Sequence, residues 1–119
     1  MPDESSSPAH GPAGRYYQLV DQGALEEVVA LFAPGIVYDR PGHGRIEGTE
    51  ALRHFFFHER QLEFSRHTIA RYIAGGEWVV AEGTVDARTT AGQELSLAFV
   101  DLFRIQDGLI TERRGYVAR

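Results

Sequence analysis

Residues 65–118 fall into four extended segments, 65–74, 77–88, 94–105 and 109–118, divided by Gly75-Gly76, Ala91-Gly92 and Asp107-Gly108. Such dipeptides make tight hairpins, because glycine accepts the positive φ these turns need. A chain that ends this way pairs its strands antiparallel, in sequence order. Everything before residue 65 reads differently. Residues 13–22 (AGRYYQLVDQ) and 24–33 (ALEEVVALFA) carry apolar side chains at helical spacing. Gly23 is placed to stop the first helix and Pro34-Gly35 the second. A short strand at 36–40, the loop Pro41-Gly42-His43-Gly44 and an extended piece at 45–47 follow. A third helix is predicted at 50–62, with Thr49 as its N-cap. Helices first and a run of strands afterwards predict an α+β fold, with the meander curling around three helices.

The length of 119 residues suits one domain, here expected over 13–119. Residues 1–12 (MPDESSSPAHGP) are expected to be a disordered tail. They lack the basic and apolar regions of a signal peptide. No apolar run approaches the ~20 residues of a membrane span. The chain is therefore expected to be cytoplasmic, with no membrane partner. Acidic residues outnumber basic ones by 17 to 12, for a net charge of −5, which argues against nucleic acid as a partner. All the basic side chains are arginine, so Schiff-base chemistry is excluded. There is no cysteine, which removes disulfides, thiol nucleophiles and thiolate metal sites. The five histidines show no metal-ligand motif; only His54 and His58 stand at i, i+4 on one predicted helix. With no glycine-rich phosphate loop either, neither a metal nor a cofactor is expected.

One residue breaks the apolar pattern. In 94–105 (ELSLAFVDLFRI), Leu95, Leu97, Phe99, Asp101, Phe103 and Ile105 share a face, since strand side chains alternate. Asp101 is the one acid among large apolar neighbours. A lone buried carboxylate costs several kcal/mol when ionised, on the order given for buried charges. It must be paired, or kept neutral by a raised pKa. A carboxyl in an apolar concavity suits acid–base catalysis. The equal alternative is that Asp101 bonds an arginine or backbone group and only fixes the fold. The opposite face (Ser96, Ala98, Val100, Leu102, Arg104) is also fairly apolar, so both sides of the strand are expected to be covered.

The segments RYYQLVDQGALEEVVALFAPGIVYDRPG at 15–42, IEGTEALRHFF at 46–56 and FVDLFRIQDGLITERRGY at 99–116 resemble the ketosteroid isomerase and SnoaL-like branch of the NTF2-like superfamily. The resemblance implies a cone: a curved, largely antiparallel (mixed) sheet wrapped by three N-terminal helices around a deep pocket. It implies that Tyr16 donates a hydrogen bond to a substrate oxyanion, and that Asp101 does so beside it as a neutral acid. The isomerase base, an aspartate just before a proline, has no counterpart. Arg40 precedes Pro41, and Asp39 lies one residue earlier. A one-residue slip reverses a strand side chain. Either the chain bulges and Asp39 reaches the pocket, or this base is missing. Steroid isomerisation is therefore not the expected reaction, and the closer likeness is to SnoaL-like polyketide cyclases, isomerases and epoxide-opening enzymes.

Further candidates follow. His67 on the first long strand is a possible general base if its face lines the pocket. Arg114, in ITERRGY, is expected to face the pocket by the same resemblance. There it would pair with Asp101 or Asp39, or bind an anionic oxygen. Paired with Asp101, it would leave that residue ionised and unable to donate. Arginine–carboxylate networks also occur in limonene epoxide hydrolases of this superfamily, but Phe99 stands where their motif has an arginine. The candidate substrate contacts are Phe56, Phe99, Tyr38, His43, Arg40 and Trp78. Of these, Tyr38 and Trp78 are equally at home in core packing, and His43 on the surface. The reading is a cofactor-free acid–base enzyme of bacterial secondary metabolism, acting on a small apolar oxygenated metabolite and forming a homodimer. The rival is a non-catalytic ligand-binding or dimerisation module.

Overall fold

The computed structural model describes residues 10–118. Its elements are α1 (Gly11–Gln22), α2 (Leu25–Val29), β1 (Phe32–Arg40), β2 (Gly44–Glu47), α3 (Thr49–His54), a π turn (Phe55–Glu59), β3 (Leu62–Gly75), β4 (Trp78–Thr89), β5 (Glu94–Gln106) and β6 (Leu109–Val117). The six strands form one sheet in the order β2-β1-β6-β5-β4-β3. All neighbours are antiparallel except β1 and β6, so the sheet is mixed. The fold is α+β, as expected. Of the expected tail, residues 1–9 lie outside the described residues, and α1 begins at Gly11, two residues early.

Turn chemistry performs as the sequence implies. Gly23 ends α1 with φ 74°; its N–H reaches Val20 O, and Ala24 N–H reaches Leu19 O, both at 3.0 Å. These two bonds make a Schellman cap. Asp107 and Gly108 both take positive φ, 54° and 80°, as the β5–β6 hairpin requires.

The helices are shorter than their patterns suggest. The segment 24–33 is helical only over Leu25–Val29, because Phe32 enters the sheet opposite Ile110. Strand pairing with a distant partner outweighs local helix preference. Pro34-Gly35 therefore lies inside β1, within a register shift between Phe32 and Val37. That position tolerates a residue without an N–H. The third helix is α-helical only to His54 and then widens, with Arg60 N–H reaching Phe55 O. Thr49 is not its N-cap: Gly48 holds that place, and no side chain caps the helix.

The core lies between the helices and one face of the sheet. It is built from Tyr16, Tyr17 and Val20 of α1, Leu52 of α3, Phe55 and Phe56 of the π turn, and inward strand residues such as Ile36, Tyr38, Phe99 and Phe103. On β4, Gly83 faces a bulged stretch of β3, where a Cβ would fall 2.2 Å from Thr68 O. Bulges bend the strand that carries them.

Candidate functional site

Strand parity decides which residues reach the interior. Phe99, Asp101 and Phe103 are buried, whereas Val100, Leu102 and Arg104 are half-exposed and Ser96 and Ala98 are exposed. The face carrying Asp101 is thus the inner one, and the opposite face is not covered as expected. Directly paired residues on neighbouring strands point the same way. Phe103 pairs with Arg113, which pairs with Tyr38, so these three face inward. Leu102 pairs with Arg114, which pairs with Asp39, so these three face outward.

Two expectations fall on this point. Arg114 is not the pocket arginine; it bonds Glu112 on the outer side. Asp39 does not line the interior cavity, and its backbone carbonyl serves it only by accepting from Arg113 Nη1 at 3.1 Å. The inward arginine is Arg113.

Asp101 is 3% exposed and fully engaged. Arg113 Nη2 donates to its Oδ1 at 2.9 Å, and Tyr17 Oη donates to its Oδ2 at 2.6 Å. Both oxygens accept, so the predicted role as a hydrogen-bond donor is not the one observed. The predicted partner is also displaced by one residue. Tyr16 bonds Tyr38 Oη at 2.5 Å, and Tyr17 takes the carboxylate. Burial, reinforced by Tyr38, pushes Tyr16 well above the usual tyrosine range; burial and then the Asp101 carboxylate do the same for Tyr17. Burial alone would lower the Arg113 guanidinium, but the oxygens of Tyr38 and Asp101 outweigh it and raise it. Its Cζ lies 4.8 Å from the centre of the Tyr38 ring. Gly115, opposite Asp101 in the sheet, makes room for the pair: a Cβ there would sit 2.8 Å from Asp101 Oδ1 and 2.7 Å from Arg113 Nη1.

The cavity above this floor has a volume of about 590 Å³, within the usual range of ligand sites. Its walls are mostly apolar, with Val20, Leu62, Val85, Leu97 and Phe99 among them. The polar side chains on it include Tyr16, Arg40, Arg60, His67, Asp101 and Arg113. Of the expected substrate contacts, Phe99 and Arg40 line it. Tyr38 and Phe56 are instead buried in the core, their rings 5.7 Å apart. His43 is turned to Glu59, with Nε2 3.0 Å from Oε1. Trp78, at the start of β4, lies under Arg104 and away from the cavity.

His67 is the expected residue that gains most. Its Nδ1 is 2.7 Å from Asp21 Oδ1, and its backbone N–H donates to Asp21 Oδ2 at 2.7 Å. Ser65, two residues earlier on the same face, donates its hydroxyl to Asp21 Oδ1 at 2.8 Å. Burial alone would raise Asp21, but the bonds from His67 and Ser65 outweigh it and hold the carboxyl below the ordinary aspartate value. A carboxylate can only accept, so Nδ1 carries the hydrogen and Nε2 is left as the basic nitrogen on a ring that lines the cavity. Ser65 donates to Asp21 and not to His67, so it is not set up as a nucleophile.

Sequence reasoning did not single out Arg60 and Arg113 on the cavity wall, or Asp21 and Tyr17, which bond the cavity residues His67 and Asp101. Tyr17 and Asp21 stand at i, i+4, on one stripe of α1. A tyrosine and an aspartate stacked on a buried stripe was the available signal. Among the described residues no group of three or more His, Cys, Asp or Glu is arranged to hold a metal ion. The His54 and His58 rings lie 5.1 Å apart and tilted, but only His54 also contacts a carboxylate, that of Glu59.

Helices packed on one face of a mixed six-stranded sheet, with a ligand-sized cavity between them, define a small α+β pocket protein. The family model for the SnoaL-like domain matches residues 13–113, and the chain belongs to that family. Solved structures agree on the fold. An NTF2-like protein of unknown function from Burkholderia pseudomallei superposes with a TM-score of 0.81 at 21% identity, over 90% of this chain and 88% of that one. A putative polyketide cyclase from Silicibacter gives 0.76 at 20% identity, over 90% and 86%. An LEH-like epoxide hydrolase of M. tuberculosis gives 0.76 at 22% identity, over 98% and 86%. No curated protein matches the chain significantly. No helix among the described residues is long and apolar enough to cross a membrane.

Proposed function

We propose that the chain is a cofactor-independent enzyme that moves a proton on a small apolar oxygenated metabolite, with His67 as the base. The observation that carries this is the His67–Asp21 pair on the wall of the cavity. Asp21 holds the ring in one tautomer and stabilises the imidazolium that forms when Nε2 takes a proton. Arg113, held by Asp101, offers fixed positive charge to the oxygen on which negative charge develops, and Tyr16 lines the same cavity as a second polar group. Asp101 is in this scheme a positioning residue. Return of the proton to another atom gives isomerisation; attack by the resulting carbanion on a carbonyl carbon of the same molecule breaks its C=O π bond and closes a ring, and the new alkoxide takes the proton back from His67. The polyketide cyclase among the structural relatives fits that chemistry and a place in bacterial secondary metabolism. A homodimer is proposed through the outer sheet face, where Ile73 and Tyr116 are exposed beside half-exposed Val80, Val100 and Leu102.

The test is exchange of deuterium from D2O into the α-carbon of 2-tetralone and its carboxylated analogues, followed by NMR. The protein should accelerate exchange over buffer, and His67→Gln should lower that by about 10²-fold or more, the usual worth of a general base. Unchanged exchange in the variant would exclude His67 as the base. Binding without any acceleration would favour the non-catalytic module.

A further inference from the structure

We infer that the substrate of this cavity carries a carboxylate, gripped at one side by Arg40 and Arg60; the inference rests on the proton-transfer reading of the same cavity. Three guanidinium groups line it, those of Arg40, Arg60 and Arg113. Only Arg113 has a carboxylate partner, Asp101. Elsewhere the chain pairs its arginines closely: Arg45, Arg53, Arg71, Arg88, Arg104 and Arg114 each have a glutamate within 4.0 Å or less. The other arginines without a carboxylate partner among the described residues, Arg15 and Arg66, are exposed to water. Arg40 and Arg60 are instead half-buried on the cavity wall, in a chain whose net charge is −5. Unpaired positive charge held there by an acidic protein is a complement to an anion.

The two side chains come from different parts of the fold and are held in place. Arg40 ends β1, and its Cζ lies 5.1 Å from the centre of the Phe55 ring. Arg60 follows the π turn, and its Nη2 donates to Ser65 Oγ at 3.3 Å. That serine donates in turn to Asp21, the carboxylate that orients His67. Burial, joined by the neighbouring charge of Arg40, lowers the Arg60 guanidinium below its ordinary value, although the nearby oxygens of Tyr16, Tyr38 and Asp21 act in the opposite direction. The Arg40 guanidinium has no hydrogen-bond partner among the described residues. The Arg40 fork is therefore free to donate to two oxygens in one plane, and Arg60 keeps further N–H groups beside the one given to Ser65, which suits the geometry of a carboxylate. The neighbouring loop opens on Pro41, which has no N–H to add to a phosphate cradle. The apolar walls would take the hydrocarbon body, and a carboxylate held beside Ser65 brings its carbon skeleton against His67.

The test is calorimetric titration of the full chain with 2-naphthoate and with 2-naphthamide, which has the same shape without the charge. The acid should bind roughly tenfold tighter or more, the scale of a charge-assisted pair. The same preference should hold in His67→Gln, so failure of the proton-transfer reading leaves this measurement intact. Arg40→Gln and Arg60→Gln should each bring acid and amide close to parity. Arg40→Lys and Arg60→Lys, which keep the charge, should retain part of the preference, and they serve where a glutamine variant does not fold. Equal affinity for acid and amide overturns the inference. So does a preference that survives both glutamine variants, or an acid that fails to bind at millimolar concentration.

Discussion

Helix α1 serves two carboxylates, and they do opposite work. At the floor of the cavity Asp101 is closed off, with one oxygen taken by Arg113 and the other by Tyr17. On the wall Asp21 accepts from His67 and Ser65, and the histidine ring it holds keeps a free nitrogen. The floor pair is buried at 7% and 4% side-chain exposure, the wall pair open at 14% and 21%. A buried ion pair of the first kind supports a single arrangement of the fold. A half-open pair of the second kind supports proton transfer, because the group it orients can still meet a substrate. The acid most conspicuous in the sequence is thus the more deeply buried one, and the inconspicuous acid on the helix holds the histidine of the cavity wall.

This contrast is open to attack at three points. Arg113→Ala leaves Asp101 buried without its cation, and stability should fall by about 3–5 kcal/mol in urea unfolding. A loss below about 1 kcal/mol would show that the floor pair is not structural. Asp21→Asn should cost far less stability while lowering exchange catalysis by about 10²-fold. Because Asp21 titrates below its ordinary value in the folded chain, its contribution is present above about pH 4 and is lost as pH falls through the lowered value. The acid limb of the stability profile should therefore be shallower in Asp21→Asn. An unchanged limb would remove the evidence for a held carboxylate. Arg114→Ala, on the outer side of the same strand, should change stability by no more than about 0.5 kcal/mol and leave catalysis intact. A larger loss of activity there would contradict the parity assigned to β6.

Much of the fold was legible because its signals are local. Alternation marks the strands and glycine marks the hairpins, so the four final strands follow from neighbouring residues alone, while the burial of the Asp101 face and not the opposite one is settled by the structure. The end of α2 did not, since Phe32 joins the sheet through Ile110, a partner far along the chain. The site was legible in part. Tyr16, Arg40, His67, Phe99 and Asp101 line the cavity, whereas Arg114 stands one residue from the inward Arg113, Asp39 faces outward, and the carboxylate takes its tyrosine bond from Tyr17 and not from Tyr16. On a helix one step turns a side chain by about 100°, and on a strand it turns it to the other face.

Residue types and their periodicity thus determine an α+β chain with one acid set in an apolar stripe and no thiol or lysine chemistry, and the resemblance adds the expectation of a pocket. Pairing register, the bulge around Pro34-Gly35 and the lie of α1 across β3 settle which tyrosine, which arginine and which aspartate meet there. The reason is physical. Burial of a stripe is set by many apolar neighbours at once, whereas a hydrogen bond depends on one side chain pointing one way, and that direction is fixed only when distant strands are in register.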